Sequence, residues 1–196
     1  MIWLHSEGNF SFSLWGHKIT TRGKIYKLAI TTGNKCVYYQ FVWKNHAPPK
    51  VKFFAWLLLQ ERIQCKTNLK RKNVLDSDTC DLCGLAPETP DHIISQCEFA
   101  RRFWLHLGWD PASIPPVSKL WEVQGQAGAP ARSLSTMFLL CCWHLWLYRH
   151  GVVFRHQAMN LRYLLLECHN ATQLWRWRLP VQLRDEVEHW SNLFLM

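Results

Sequence analysis

Residues 80–97, CDLCGLAPETPDHIISQC, place three cysteines and one histidine within eighteen positions, at the spacing C-x2-C-x8-H-x4-C. Cys80 and Cys83 read as a knuckle: a tight turn offers two thiolates to one ion, and Gly84 relieves the backbone directly after it. Pro87 and Pro90 lie in the spacer that returns the chain to His92 and Cys97. Three sulfurs and an imidazole at this range suit Zn2+, which favours tetrahedral sulfur and nitrogen coordination. His92 and Cys97 are five apart, a separation of about 140° around an ideal α-helix. A regular helix therefore cannot present both to one ion, so the intervening segment has to bend, or a helix has to start only near Cys97. Four protein ligands fill a tetrahedron and leave no position for water, so the expected zinc is structural. Three thiolates leave such a site with a formal charge of about −1, a weak Lewis acid in any case. Glu88 and Asp91, inside the loop, are the candidates to hydrogen-bond the outer nitrogen of His92.

The rest of the chain bounds what surrounds this site. Its 196 residues suit one domain, or one domain with an appended helical part. Twelve tryptophans supply large side chains for a core. Lys and Arg number 23 against 14 Asp and Glu, a formal charge of +9 that favours polyanionic partners and says nothing about fold. A secreted disulfide scaffold is usually shorter and begins with a signal peptide. The N-terminus, MIWLHSEGNFSFSLWG, lacks a basic region followed by a long apolar run. No signal peptide is expected, and the chain reads as intracellular, nuclear or cytoplasmic. Cys36, Cys65, Cys141, Cys142 and Cys168, outside the cluster, read as small buried apolar residues. The most apolar run, MFLLCCWHLWLY at 137–148, is twelve residues long, against about 20 for a bilayer-spanning helix. It reads as a buried core helix, with no membrane partner.

The periodicities predict an α+β fold that is mainly α. Residues 2–19 alternate around Phe10, Phe12 and Leu14, a small N-terminal strand region with Glu7-Gly8-Asn9 as its turn. CVYYQFVWKNH (36–46) fits either a short strand or a buried helical turn. Pro48 and Pro49 open a strongly apolar helix, and Phe99, Phe103 and Leu107 recur at helical spacing up to Gly108, which can cap the end. Residues 110–133, rich in Pro, Gly and Ala, read as a linker between a module at 1–109 and a helical segment at 134–196. That segment holds an apolar helix at 134–149. Two amphipathic helices follow, with Leu161, Leu164, Leu165, Cys168, Thr172 and Trp175 on one face, then Leu183, Val187, Trp190 and Phe194.

Taken together, FVWKNHAPPKVKFFAWLLLQERIQCKTNLKRKNV and CDLCGLAPETPDHIISQCEFARRFW resemble the zinc-binding domain of plant non-LTR retrotransposon reverse transcriptases. The likeness runs through Trp43, Pro49, Lys50, Phe54, Trp56, Thr67, Leu69, Lys72, Cys80, Cys83, Glu88, Thr89, His92, Cys97 and Trp104, and covers about residues 2–107. WHLWLYRHGVVF (143–154) is similar to the linker that leads from this module toward a ribonuclease H domain, with Arg149-His150 in place of the usual Arg-Asn. The resemblance implies a non-catalytic module. The polymerase's paired aspartates occur nowhere in the chain, and Glu167, Asp185, Glu186 and Glu188 lack the βαβ context of a ribonuclease H site.

Two functions fit. In the first, the module binds single-stranded RNA or DNA. Lys66, Lys70, Arg71 and Lys72 before the knuckle and Arg101 and Arg102 after it would contact phosphates, and Trp104 or Phe99 would stack on an unpaired base. The alternative for these residues is a solvated basic face and a core. In the second, the module positions the polymerase or ribonuclease H domains of a parent element and binds no nucleic acid. No nucleophile elbow, phosphate loop or zincin motif is present, so an enzyme is not expected.

Overall fold

In the computed structural model, residues 12–14, 17–19, 37–125 and 130–195 are described. Phe12–Leu14 (β1) and His17–Ile19 (β2) pair antiparallel, Phe12 opposite Ile19. The rest of the expected N-terminal strand region, including the Glu7-Gly8-Asn9 turn, lies outside the described residues, as does Cys36. From Tyr39 onward the described chain is helical, in the order α1 Tyr39–Trp43, α2 Pro49–Leu59, α3 Lys66–Lys70, α4 Glu98–His106, α5 Leu134–Arg155, α6 Leu161–Arg176 and α7 Arg184–Leu193.

The ambiguous segment before the prolines resolves as helix α1, because Phe41, Val42 and Trp43 all find burial on one short turn. Asn45 ends it. Its side-chain amide donates back to the carbonyls of Phe41 and Val42, while its carbonyl oxygen accepts from the Ala47 N–H at 2.8 Å. Pro49 then starts α2 at the one helical position where a missing N–H costs nothing. Helix α2 buries Val51, Phe54, Ala55, Leu58 and Leu59.

Residues 111–122 form two 3-10 turns, Pro111–Ser113 and Val117–Glu122. The apolar residues of this segment, Ile114, Val117 and Leu120, are buried in the core that also takes in α2, α4, α5, α6 and α7. Helix α5 runs six residues past its expected end at 149, since Arg149 is buried and paired within the fold rather than solvated. At 22 residues it is long and apolar enough, by length and composition, to cross a membrane, and 56 % of its most apolar window is buried inside this fold. It is the central helix of the core, with Met137, Phe138, Leu139, Leu140 and Cys142 fully covered. The tail locks onto its start: the Glu186 carboxylate accepts from the Ser133 N–H at 3.1 Å, and the Trp190 indole N–H donates to the Ser133 hydroxyl at 2.9 Å.

Gly108 ends α4 as the periodicity predicts. It adopts φ +80°, its N–H donates to Leu105 and the Trp109 N–H reaches back to Trp104, each at 2.9 Å. This double bond pattern needs a left-handed residue at the turn, and it sets the Trp109 ring edge-on against Trp104 at 5.7 Å. Gly108→Ala should therefore destabilise the fold by about 1–2 kcal/mol, measured as a shift in the urea unfolding midpoint without change in its slope.

Candidate metal centre

The knuckle is a small hairpin. The Cys80 N–H donates to the Ala86 carbonyl at 2.9 Å and the Glu88 N–H to Asp78 at 2.7 Å, clamping its two flanks. Between them the Gly84 N–H closes on the Cys80 carbonyl at 2.8 Å, with Gly84 at φ +68°. A Cβ there would meet nothing within 4 Å, so the demand for glycine is conformational alone.

The opposite pair comes from an unusual turn. His92–Gln96 is π-helical, closed by the Cys97 N–H donating to the His92 carbonyl at 2.8 Å, after which Cys97 itself is extended. An α-helix would turn His92 and Cys97 to different sides. The wider i to i+5 turn brings residue 97 back over residue 92, which is the bend that the spacing required. Thr89 caps this turn, its hydroxyl accepting from the His92 N–H at 3.0 Å. The buried Trp104 holds the far side, donating its indole N–H to the Ile94 carbonyl at 2.6 Å.

The four donor atoms of Cys80, Cys83, His92 and Cys97 lie within 4.8 Å of one another. Tetrahedral zinc, with bonds of about 2.3 Å to sulfur and about 2.0 Å to nitrogen, separates two sulfurs by about 3.8 Å and sulfur from nitrogen by about 3.5 Å. Here Cys80 Sγ and Cys97 Sγ stand 3.9 Å apart, and Cys83 Sγ and His92 Nε2 3.3 Å apart. The sulfur pair is far beyond disulfide length, and the donor set fits a zinc ion. The sulfurs compete for charge: contact with Cys97 pushes the Cys80 thiol up to about 12, while the same contact lowers Cys97. Contact with Cys80 raises His92. A divalent cation relieves that competition by drawing on every donor at once. Cys141, Cys142 and Cys168 are different in kind: burial, before any other cause, pushes their thiols far up, and they lie in the core.

Neither acidic residue of the loop serves His92 as expected. Asp91 accepts from the Val117 N–H at 2.7 Å. Glu88, wholly buried, faces Arg149 of α5, which is 1 % exposed; the Nε–Oε2 distance is 2.9 Å and the second nitrogen binds Oε1. Glu88 Oε1 also accepts from the Lys66 N–H at 2.9 Å, and the Glu88 carbonyl accepts from the Thr67 hydroxyl at 3.0 Å. Glu88 thus ties the metal loop, α3 and the central helix together. Its partner is 61 positions away, so no local pattern could have named it.

The basic residues divide. Lys66 pairs with Asp81 at 2.5 Å, Lys70 with Asp78 at 3.1 Å, and Arg102 with Glu98 one turn before it at 3.1 Å. Arg71, Lys72 and Arg101 are exposed and carry no ion pair among the described residues. Of the two expected stacking rings, Trp104 is closed to a base, 0 % exposed and stacked on Phe138 at 4.9 Å, while Phe99 is half-buried with one face stacked on Tyr148 at 4.8 Å.

A helical body around a knuckle and a π-turn that present three sulfurs and one imidazole defines a zinc-binding module. Residues 20–104 match the profile of the family described as zinc-binding in reverse transcriptase. A protein of Arabidopsis thaliana, provisionally named as a ribonuclease H protein, is 24 % identical over 127 residues, covering 62 % of this chain and 20 % of the relative. The chain therefore spans about a fifth of that relative's length. No solved structure gives a significant match.

Removing one partner of a buried ion pair leaves the other charge stranded, at a cost of about 3–5 kcal/mol. Arg149→Met should lower stability by that order in urea unfolding, and adding Glu88→Gln should restore part of it, since the amide keeps an acceptor for Lys66 and leaves no charge behind.

Proposed function

We propose that Cys80, Cys83, His92 and Cys97 hold one structural Zn2+ and that the module they organise is a non-catalytic nucleic-acid-binding unit of reverse-transcriptase origin. Bound there, the ion supplies folding energy. The closed donor set gives it no position for water or substrate. On this reading residues 1–109 are the zinc-binding module, 110–133 the connection and 134–196 a helical segment fastened to it through Arg149. The observation that carries nucleic-acid binding is the surplus of exposed cationic side chains beside the metal loop, Arg71, Lys72 and Arg101, on a chain with a formal charge of +9. Single-stranded RNA or DNA fits such a surface through its phosphates.

A second reading, in which the module positions polymerase or ribonuclease H domains of a parent element, draws on the name of the Arabidopsis relative and on the outer face of α6. Leu166 and Leu174 there are 48 % and 72 % exposed, a surface that a neighbouring domain would cover.

Purified protein should contain one equivalent of zinc. Chelation or Cys83→Ser should remove the ion and unfold residues 66–107, read by thermal melting and hydrogen exchange; a melt indifferent to chelator would refute the structural role. Changing Arg71, Lys72 and Arg101 to Ala should leave the melt unchanged and weaken binding to labelled single strands, with a flatter dependence on salt. Absence of binding by the intact zinc-loaded protein at low salt would favour the domain-positioning reading.

A further inference from the structure

A second group of unneutralised positive charge gathers around Lys52, near the start of α2. Lys44, Lys50 and Arg178 are exposed there and Lys52 is half-buried. None of the four is paired with a carboxylate among the described residues. Lys52 Nζ donates to the Trp43 carbonyl at 3.0 Å, which fixes it beside Lys44. Burial, and after it the nearby charges of Arg178 and Lys44, holds Lys52 below the usual lysine range.

Aromatic rings alternate with these charges. Lys50 Nζ sits 5.6 Å from the centre of the Trp143 ring, and Lys44 Nζ 5.8 Å from that of Tyr39. Trp177, next to Arg178, is 72 % exposed, with the Arg184 guanidinium 5.1 Å from its ring. At Trp177 the cation lies over one face and leaves the exposed ring free to stack on a planar partner. A tryptophan this exposed is costly to keep in water unless something covers it.

We propose that this face, built by Lys44, Lys50, Lys52, Arg178, Trp143 and Trp177, is a binding surface for single-stranded nucleic acid, with the cations on phosphates and Trp177 under an unpaired base. The charge selects a polyanion. The exposed ring selects one whose bases are unstacked, because a duplex keeps its base faces covered. The assignment rests on the nucleic-acid reading above and moves the principal contacts away from the metal loop, where Lys66, Lys70 and Arg102 are already paired.

The test uses the zinc-loaded full chain and a fluorescent oligothymidylate, single-stranded or annealed into a duplex, in anisotropy titrations over a salt series. The combined variant Lys44→Gln, Lys50→Gln, Arg178→Gln should bind the single strand at least about tenfold more weakly and flatten the log–log salt slope by about 2, from three lost phosphate contacts. Trp177→Ala should weaken single-strand binding at least about fivefold and leave duplex binding unchanged. Both variants carry surface changes, and an unaltered melting curve and zinc content confirm their fold. Normal binding by both variants, with wild-type protein binding well, overturns this surface and leaves the nucleic-acid reading standing on Arg71, Lys72 and Arg101. Failure of the wild-type protein to bind at low salt overturns both. Equal displacement by polyglutamate makes the face a general polyanion surface and overturns the assignment to nucleic acid.

Discussion

Glu88 and Arg149 form an ion pair from which water is excluded on every side, and the geometry around the metal loop depends on it. Glu88 stands between the knuckle and the π-turn, so its carboxylate fixes the point where the chain reverses toward His92. That same carboxylate accepts the Lys66 N–H, and its main chain holds Thr67. Arg149 enters from the middle of α5, a helix otherwise apolar over most of its buried length. A buried charge pair of this kind contributes little net stability compared with apolar side chains of the same volume, because both ions lose their hydration. What it enforces is register. Any sliding of α5 along the metal loop strands two charges in the core, so only one seating of the helix is tolerable.

This constraint explains how a module with so small a metal loop carries a long helical segment. Helix α5 packs on α2 and on the π-turn, α6 packs on α5, and α7 packs on α6. The apolar contacts supply most of the burial and are tolerant of small shifts; the ion pair is not. The loop and the helices share one core, which also takes in the Trp109–Trp190 stack.

The clustering of Cys80, Cys83, His92 and Cys97 was legible because it is local: four donors within eighteen residues can meet without help from the rest of the chain. Helix faces were legible for a similar reason, and Leu164, Leu165, Cys168, Thr172 and Trp175 are buried as their spacing indicated. The partner of Glu88 was not, because it depends on how a distant helix docks. Nor did the run KTNLKRK show which of its cations are free. Asp78 and Asp81 follow it closely in sequence, but only the folded knuckle aims them at Lys70 and Lys66. The cationic and aromatic face drawn from residues 44–52, 143 and 177–178 leaves no contiguous signature at all.

The π-turn bears on how such a motif tolerates change in length. The stretch from Gly84 to Ala86 is the tip of a clamped hairpin, and extra residues there would extend a loop without moving either cysteine of the knuckle. Between His92 and Cys97 there is no such slack. Deleting one residue would convert the wide turn into an ordinary helical one, and adding one would carry Cys97 past the cluster. The intervals of the motif are therefore unequal in elasticity, and the four residues separating His92 from Cys97 form its rigid ruler.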